Sequence, residues 1–199
     1  MQKHLLSRWT AMVVVAVLAG LVVAGCGSSS SSSTGNTTDR AFLNDMTPHH
    51  QSAIQMARIA QQRGEHPEIK TLAGSIVADQ QSEIDLMGKL KGQIKAGDGK
   101  STLGMNMHAM GMDMNMGGLM NARPFDRAFV DDMVPHHRGA VEMAKMELAQ
   151  GKNSEARALA QRIIDSQGKE IAQMNQWRTK WFGGPVPAMG SRMGQHSGH

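Results

Sequence analysis

One cysteine, no tyrosine, four phenylalanines and three tryptophans are spread over 199 residues. With Cys26 as the single cysteine, no disulfide can close within the chain. So few aromatic rings leave no platform on which the bases of single-stranded nucleic acid could stack. Charge of one sign is scarce as well, with 21 basic against 17 acidic residues, which excludes a basic nucleic-acid footprint. Long apolar runs are missing beyond residue 23: the one run, residues 11–23, is short for a membrane span.

That run follows Lys3 and Arg8 and closes on Val23-Ala24-Gly25-Cys26, an ending that resembles a bacterial lipoprotein signal. The resemblance implies that residues 1–25 are removed and that Cys26 becomes the acylated first residue, so no thiolate site remains. The chain is then expected to be exported and anchored by lipid, at the outer face of the cytoplasmic membrane or at the outer membrane. A single membrane-spanning helix is the alternative. Loss of Lys3 and Arg8 leaves 19 basic against 17 acidic residues, close to neutral. Residues 26–38 are rich in Ser, Thr and Gly and read as a flexible tether.

Beyond the tether the sequence repeats itself. Asp39-Arg40-Ala41-Phe42, Asp45-Met46, Pro48-His49-His50 return as Asp126-Arg127-Ala128-Phe129, Asp132-Met133, Pro135-His136-His137, at an offset of 87 residues. The same offset lays Met56 on Met143, Gly64 on Gly151, and Gln80, Glu83, Ile84 and Met87 on Gln167, Glu170, Ile171 and Met174. Each unit is too small to bury an apolar face alone, so two helical hairpins, 39–96 and 125–183, are expected to form one all-α four-helix bundle. Residues 97–124 link them as a disordered Met-rich loop, and residues 184–199 form a tail with Met193, His196 and His199.

In the first hairpin Phe42, Met46, His49, Ala53, Met56 and Ala60 mark one helical stripe that passes through Pro48. The helix either starts at Pro48 or runs through it with a kink; the continuous stripe favours the kink. Gly64 ends it and Pro67 opens the next helix, whose inner stripe is Ile69, Leu72, Ile76, Gln80, Glu83, Met87 and Leu90. A carboxylate facing inward needs a partner. Because both helices rise about 1.5 Å per residue, a turn near residues 65 and 66 sets Glu83 opposite His49 and Met87 near Met46. By the same count Glu170 falls opposite His136 and Met174 opposite Met133. Each cluster is either a metal site or a buried His–Glu pair that fixes register among core methionines. His50 and His137 would face the other hairpin or solvent, Asp45 and Asp132 would support the histidines or act as ligands themselves, and Arg40 and Arg127 would form salt bridges at the bundle end.

The linker carries the plainest chemical signal. Residues 105–120 read MNMHAMGMDMNMGGLM, with seven methionines (Met105, Met107, Met110, Met112, Met114, Met116, Met120) and His108, at no helical spacing. Thioethers are soft, uncharged ligands suited to Cu(I) and Ag(I), and they have no proton to lose, so acid does not abolish binding. A flexible linker that happens to be Met-rich is the plain alternative.

The pattern D-R-x-F-x-x-D-M-x-P-H-H, followed by the PEIKTLA segment and Q-x-x-E-I-x-x-M, is similar to the family called domain of unknown function 305, here twice, over about residues 39–91 and 126–178. The resemblance implies a ferritin-like helical fold, export, and copper binding or resistance in some members. The combined expectation is a copper-binding protein of homeostasis or resistance. It would hold Cu(I), with Ag(I) or Cu(II) as further ligands, and store it or hand it to another copper protein. The expected ligands are the loop methionines with His108, together with Met46, His49, His50, Met56, Glu83 and Met87 and their counterparts Met133, His136, His137, Met143, Glu170 and Met174. A ferritin-type di-metal oxidase is the second reading, although Asp-x-x-x-His stands where such enzymes use Glu-x-x-His. A metal-free helical interaction module is the third.

Overall fold

A computed structural model describes residues 34–95 and 102–187. Cys26, the segment 1–25, the tether up to residue 33 and the tail residues Met193, His196 and His199 lie outside the described residues. Five helices are present: α1 (Thr37–Arg63), α2 (Pro67–Gln93), α3 (Met116–Asn121), α4 (Phe125–Gln150) and α5 (Ser154–Phe182), with no strand among the described residues. None of these helices is long and apolar enough to cross a membrane.

Local chemistry sets the ends. The Asn36 side chain accepts the Asp39 N–H while the Asp39 carboxylate accepts the Asn36 N–H, a reciprocal cap that starts α1 inside the stretch expected to be tether. Helix α1 continues through Pro48, and α4 through Pro135, so the helix does not begin at the proline. A proline removes one ladder bond, but apolar side chains are buried on both sides of each one, so each helix is anchored in the core before and after its proline. Gly64 and Gly151 close the two helices, Pro67 occupies the first turn of α2, and Asn153 caps α5 through the N–H groups of Glu155 and Ala156.

Helices α1 and α2 form one hairpin, α4 and α5 the other, and α1 packs on α4 at the centre. The two central helices run antiparallel, as two buried aspartates make plain. Asp39 accepts the N–H groups of Lys152 (3.0 Å) and Asn153 (2.8 Å) in the second hairpin's turn. Asp126 accepts those of Glu65 (2.8 Å) and His66 (2.7 Å) in the first hairpin's turn. The core therefore falls into two apolar clusters, each built from the turn end of one hairpin and the open end of the other. One joins Met56, Ile69 and Ile76 to Phe125, Phe129, Met133 and Met174. The second joins Phe42, Met46, Met87 and Leu90 to Met143, Leu159 and Ile163.

The linker departs from expectation. Residues 102–122 follow a folded path, with a turn over 107–111 and the short helix α3, rather than forming a disordered loop. Met105 and Met110 pack against the second cluster, Met114 and Met116 against the first, and Leu119 is buried. Thioether side chains serve here as adaptable apolar filler. Polar ties fix the path: the Leu103 N–H donates to Asp45 (2.6 Å) and Arg63 donates to the Met120 carbonyl. Met107 and Met120, about half exposed, are the large apolar side chains left facing solvent among the described residues.

Candidate metal centre

Two consecutive histidines follow each proline, and the crossing of α1 and α4 brings all four to the middle of the bundle, fully buried. The His49 and His136 rings meet across the crossing with centroids 3.8 Å apart and planes tilted by 36°. His50 and His137 turn the other way, each into its own hairpin, where Nε2 lies 2.6 Å from a carboxylate oxygen of Glu83 or Glu170. Glu83 and Glu170 thus meet His50 and His137, not His49 and His136 as expected from the sequence. Equal rise fixes the level of a residue but not its direction, and adjacent helix positions point about 100° apart. His49 and His136, rather than His50 and His137, are the pair that faces the other hairpin.

Each Nε2 carries a hydrogen, because its partner can only accept it. Carboxylates receive it from His50 and His137. The Met110 carbonyl, 2.9 Å away, receives it from His49. Ser52 Oγ gives its own hydrogen to the His49 carbonyl (2.7 Å) and so accepts from His136 Nε2 (2.7 Å). All four Nδ1 atoms are buried with no hydrogen-bond partner among the described residues. Burial, reinforced by the neighbouring His50, lowers the His49 pKa to about 3, and burial together with His49 and His137 holds His136 well below its usual range. Both are thus neutral at pH 7 and present Nδ1 as a bare lone pair. An imidazole whose far N–H is held by a carboxylate or carbonyl is the arrangement that orients a histidine toward a metal. A buried lone pair left unanswered otherwise only destabilises.

The thioethers lie close along the helices. Met46 and Met133 stand one turn before His50 and His137, while Met87 and Met174 stand one turn after Glu83 and Glu170; all four are fully buried. The Thr47 hydroxyl, which donates to the Leu43 carbonyl at 2.7 Å, lies 3.8 Å from the sulfur of Met87. Met56 and Met143 are buried farther along, one in each apolar cluster. Among the described residues no three His, Cys, Asp or Glu side chains gather into a group that could hold a metal ion. On the linker, His108 Nδ1 is 3.0 Å from Asp113 Oδ2, which leaves its Nε2 on an exposed ring beside Met107.

Other expected roles resolve differently. Asp45 serves the linker through Leu103 rather than a histidine, and burial raises its pKa. Arg127 pairs with Asp131 at 3.6 Å, whereas Arg40 donates to the Ile94 carbonyl at 2.6 Å. Three residues went unread in the sequence: Ser52, Gly139 and Glu147. The offset of 87 contained the signal, since it lays Ser52 on Gly139 and Ala60 on Glu147, both breaks in the repeat.

A family model described as domain of unknown function (DUF305) matches residues 39–178, across both repeated halves in one span. Among solved structures, CopM in its Cu(I)-bound form superposes with a TM-score of 0.61 at 39% identity, covering 73% of this chain and 98% of that one. CopM in its Cu(II)-bound form gives 0.64 at 41% identity, over 72% and 97% of the two chains. A DUF305 protein of Streptomyces coelicolor described as secreted gives 0.64 at 27% identity, over 76% and 96%. By sequence, an uncharacterized protein of Acanthamoeba polyphaga mimivirus is 42% identical over 52 residues, which span 26% of this chain and 34% of that protein's length.

Proposed function

The chain belongs to the DUF305 family, and from that premise we propose that it is an extracytoplasmic copper-binding protein that takes Cu(I), or the equally soft Ag(I), into the core of its bundle. One observation carries the reading: four buried imidazoles whose Nε2–H groups are all engaged and whose Nδ1 lone pairs are all unanswered. The likeness to CopM, solved with Cu(I), Cu(II) and silver, supports it. His49, His50, His136 and His137 would be the nitrogen ligands, with Met46, Met87, Met133 and Met174 supplying sulfur. Glu83 and Glu170 would then hold His50 and His137 in place rather than touch the ion.

The Met-rich segment would be the outer binding set. Met107 and Met120, with His108, are its best-exposed donors, and His108 held by Asp113 offers a nitrogen that also suits Cu(II). Lipid attachment at Cys26 would keep the protein at the outer face of a membrane, in a role of copper homeostasis or resistance with hand-over to another copper protein. Two acyl chains suffice for stable anchoring. Substituting Cys26→Ser is expected to move the chain from the membrane fraction to the soluble one, and a variant that stays membrane-bound would point to a spanning segment.

Counting bound ions by native mass spectrometry under anaerobic Cu(I) titration tests the core site. The unmodified chain is expected to retain core ions that the His49→Ala/His136→Ala variant loses. A ligand that binds only the folded state also raises apparent stability, by about 1.4 kcal/mol per tenfold excess over Kd. A gain in melting temperature with Ag(I) that survives the double substitution would move the site away from the histidines. No gain in the unmodified chain would leave the His–Glu pairs as register-fixing packing.

A further inference from the structure

We infer that the Met110 backbone carbonyl is a positioning group for His49, so that the Met-rich segment completes one half of the histidine centre while the other half is complete within the bundle. This inference rests on the reading that the four histidines bind a soft monovalent ion. Its ground is a break in the repeat. His136 is oriented by a side chain built into α1, the hydroxyl of Ser52 at 2.7 Å. The residue that would do the same for His49 is residue 139, one repeat later, and it is glycine.

The missing side chain is what admits the linker. A Cβ placed on Gly139 would overlap the carbonyl of Met110 and come within 2.8 Å of its Cα, closer than real Cβ atoms approach. The next residue, Gly111, adopts φ +67 and lies so close to α4 that a Cβ there would stand 2.7 Å from the His136 Cα. Positive φ with no room for a side chain admits only glycine. Two glycines, one on the helix and one on the linker, thus let two backbones touch, and the carbonyl so delivered takes the hydrogen of His49 Nε2 at 2.9 Å. The consequence is a centre of two unequal halves. His136 owes its orientation to a fixed hydroxyl; His49 owes its orientation to a segment that itself carries seven methionines. Soft-metal capture by that segment, if it draws Met110 away, releases the group that aims His49.

Two substitutions at one position in the full chain test this. Gly139→Ala and Gly139→Ser both add the Cβ that displaces the Met110 carbonyl, and both favour the helix over glycine. Only serine returns an acceptor to His49, in the way Ser52 serves His136. Ring nitrogen NMR of the metal-free chain reads the tautomer: His49 is expected as Nε2–H in the unmodified chain, mixed in Gly139→Ala, and Nε2–H again in Gly139→Ser. His136 is expected to stay Nε2–H in all three. With Ag(I) added, half-saturation at His49 is expected to need roughly ten- to hundredfold more ion in the alanine chain, the usual effect of losing a group that orients a ligand, and to return in the serine chain. An alanine chain with an unaltered His49 tautomer and affinity overturns the inference, as does a serine chain no better than alanine. If Ag(I) moves neither His49 nor His136 in the unmodified chain, the metal reading fails while the tautomer series still decides the role of Met110. Should the alanine chain not fold, the serine chain carries the test alone. Residues 104–114 newly open to protease with His49 still Nε2–H supports the inference, and a linker that stays protected overturns it.

Discussion

Asp126→Ala is expected to cost about 4 kcal/mol of folding stability, measured by urea unfolding. The carboxylate is fully buried and accepts three hydrogen bonds from the opposite hairpin's turn: the N–H groups of Glu65 (2.8 Å) and His66 (2.7 Å) and His66 Nδ1 (2.6 Å). Bonds to a charged group contribute roughly 1.5–3 kcal/mol each, and they do not add fully because the donors share one acceptor. Removing the acceptor strands those donors. Asp126→Asn keeps one oxygen but turns an amide N–H toward a donor, so it should fall between alanine and wild type. A local reporter is at hand, because the His66 ring stacks on Trp181 at 3.8 Å with planes 5° apart. Release of His66 should therefore change tryptophan emission before the global transition. A loss below about 1 kcal/mol would mean that water replaces the lost acceptor and that the turn is not held by Asp126.

Glu147→Gln is expected to stabilise the bundle at pH 8 by about 3 kcal/mol and to remove a pH dependence that the unmodified chain shows. Glu147 is fully buried, and its carboxyl lies so close to Gly151 that a Cβ there would come within 2.6 Å of Oε2. Burial, with the Asp39 carboxylate beside it, raises its pKa to about 8 against the opposing pull of Arg157. The folded chain holds a proton that the unfolded chain has already lost above the ordinary carboxyl pKa of 4.5. Stability must then fall as pH rises from that value toward 8. His49 and His136 act in the opposite sense below their ordinary pKa of 6.5, where unfolding lets them take up protons. Between pH 6.5 and 8 the glutamate acts against neither histidine, and the drop there should be about 2 kcal/mol. Chemical denaturation at several pH values in chelator would show it. A Gln variant with the same slope would place the proton elsewhere.

Much of this architecture could be read from residue order because one signal was written twice. The stripe from Phe42 to Ala60 is wholly buried, and the inner stripe of the second helix holds except at Glu83, which stays partly exposed at 17% where it meets His50. Gly64 and Pro67 mark the turn as expected. Direction around the helix was harder. Spacing alone cannot say which of two adjacent histidines faces its own hairpin and which faces the other, since that depends on the crossing of α1 and α4. The linker misled for a different reason. Its methionines lack helical periodicity, and the contacts that fold it come from Asp45, Arg63 and Gly139, all distant in sequence. Glu147 and Gly139 were visible only as exceptions to the repeat, and an exception acquires meaning once its neighbours in space are known.

The reciprocal grip of Asp39 on one turn and Asp126 on the other has the form of a two-fold dimer interface, in which the same patch serves both partners. Here both partners sit on one chain. Two separate copies would be bound to remain identical, so that any substitution would strike both sides of the axis at once. Covalent joining lifts that restriction: serine can stand at 52 and glycine at 139, alanine at 60 and glutamate at 147, each answering to a neighbourhood of its own. The linker is in this sense a licence for asymmetry, and the two sides of the histidine pair are free to acquire different affinities and different rates of exchange.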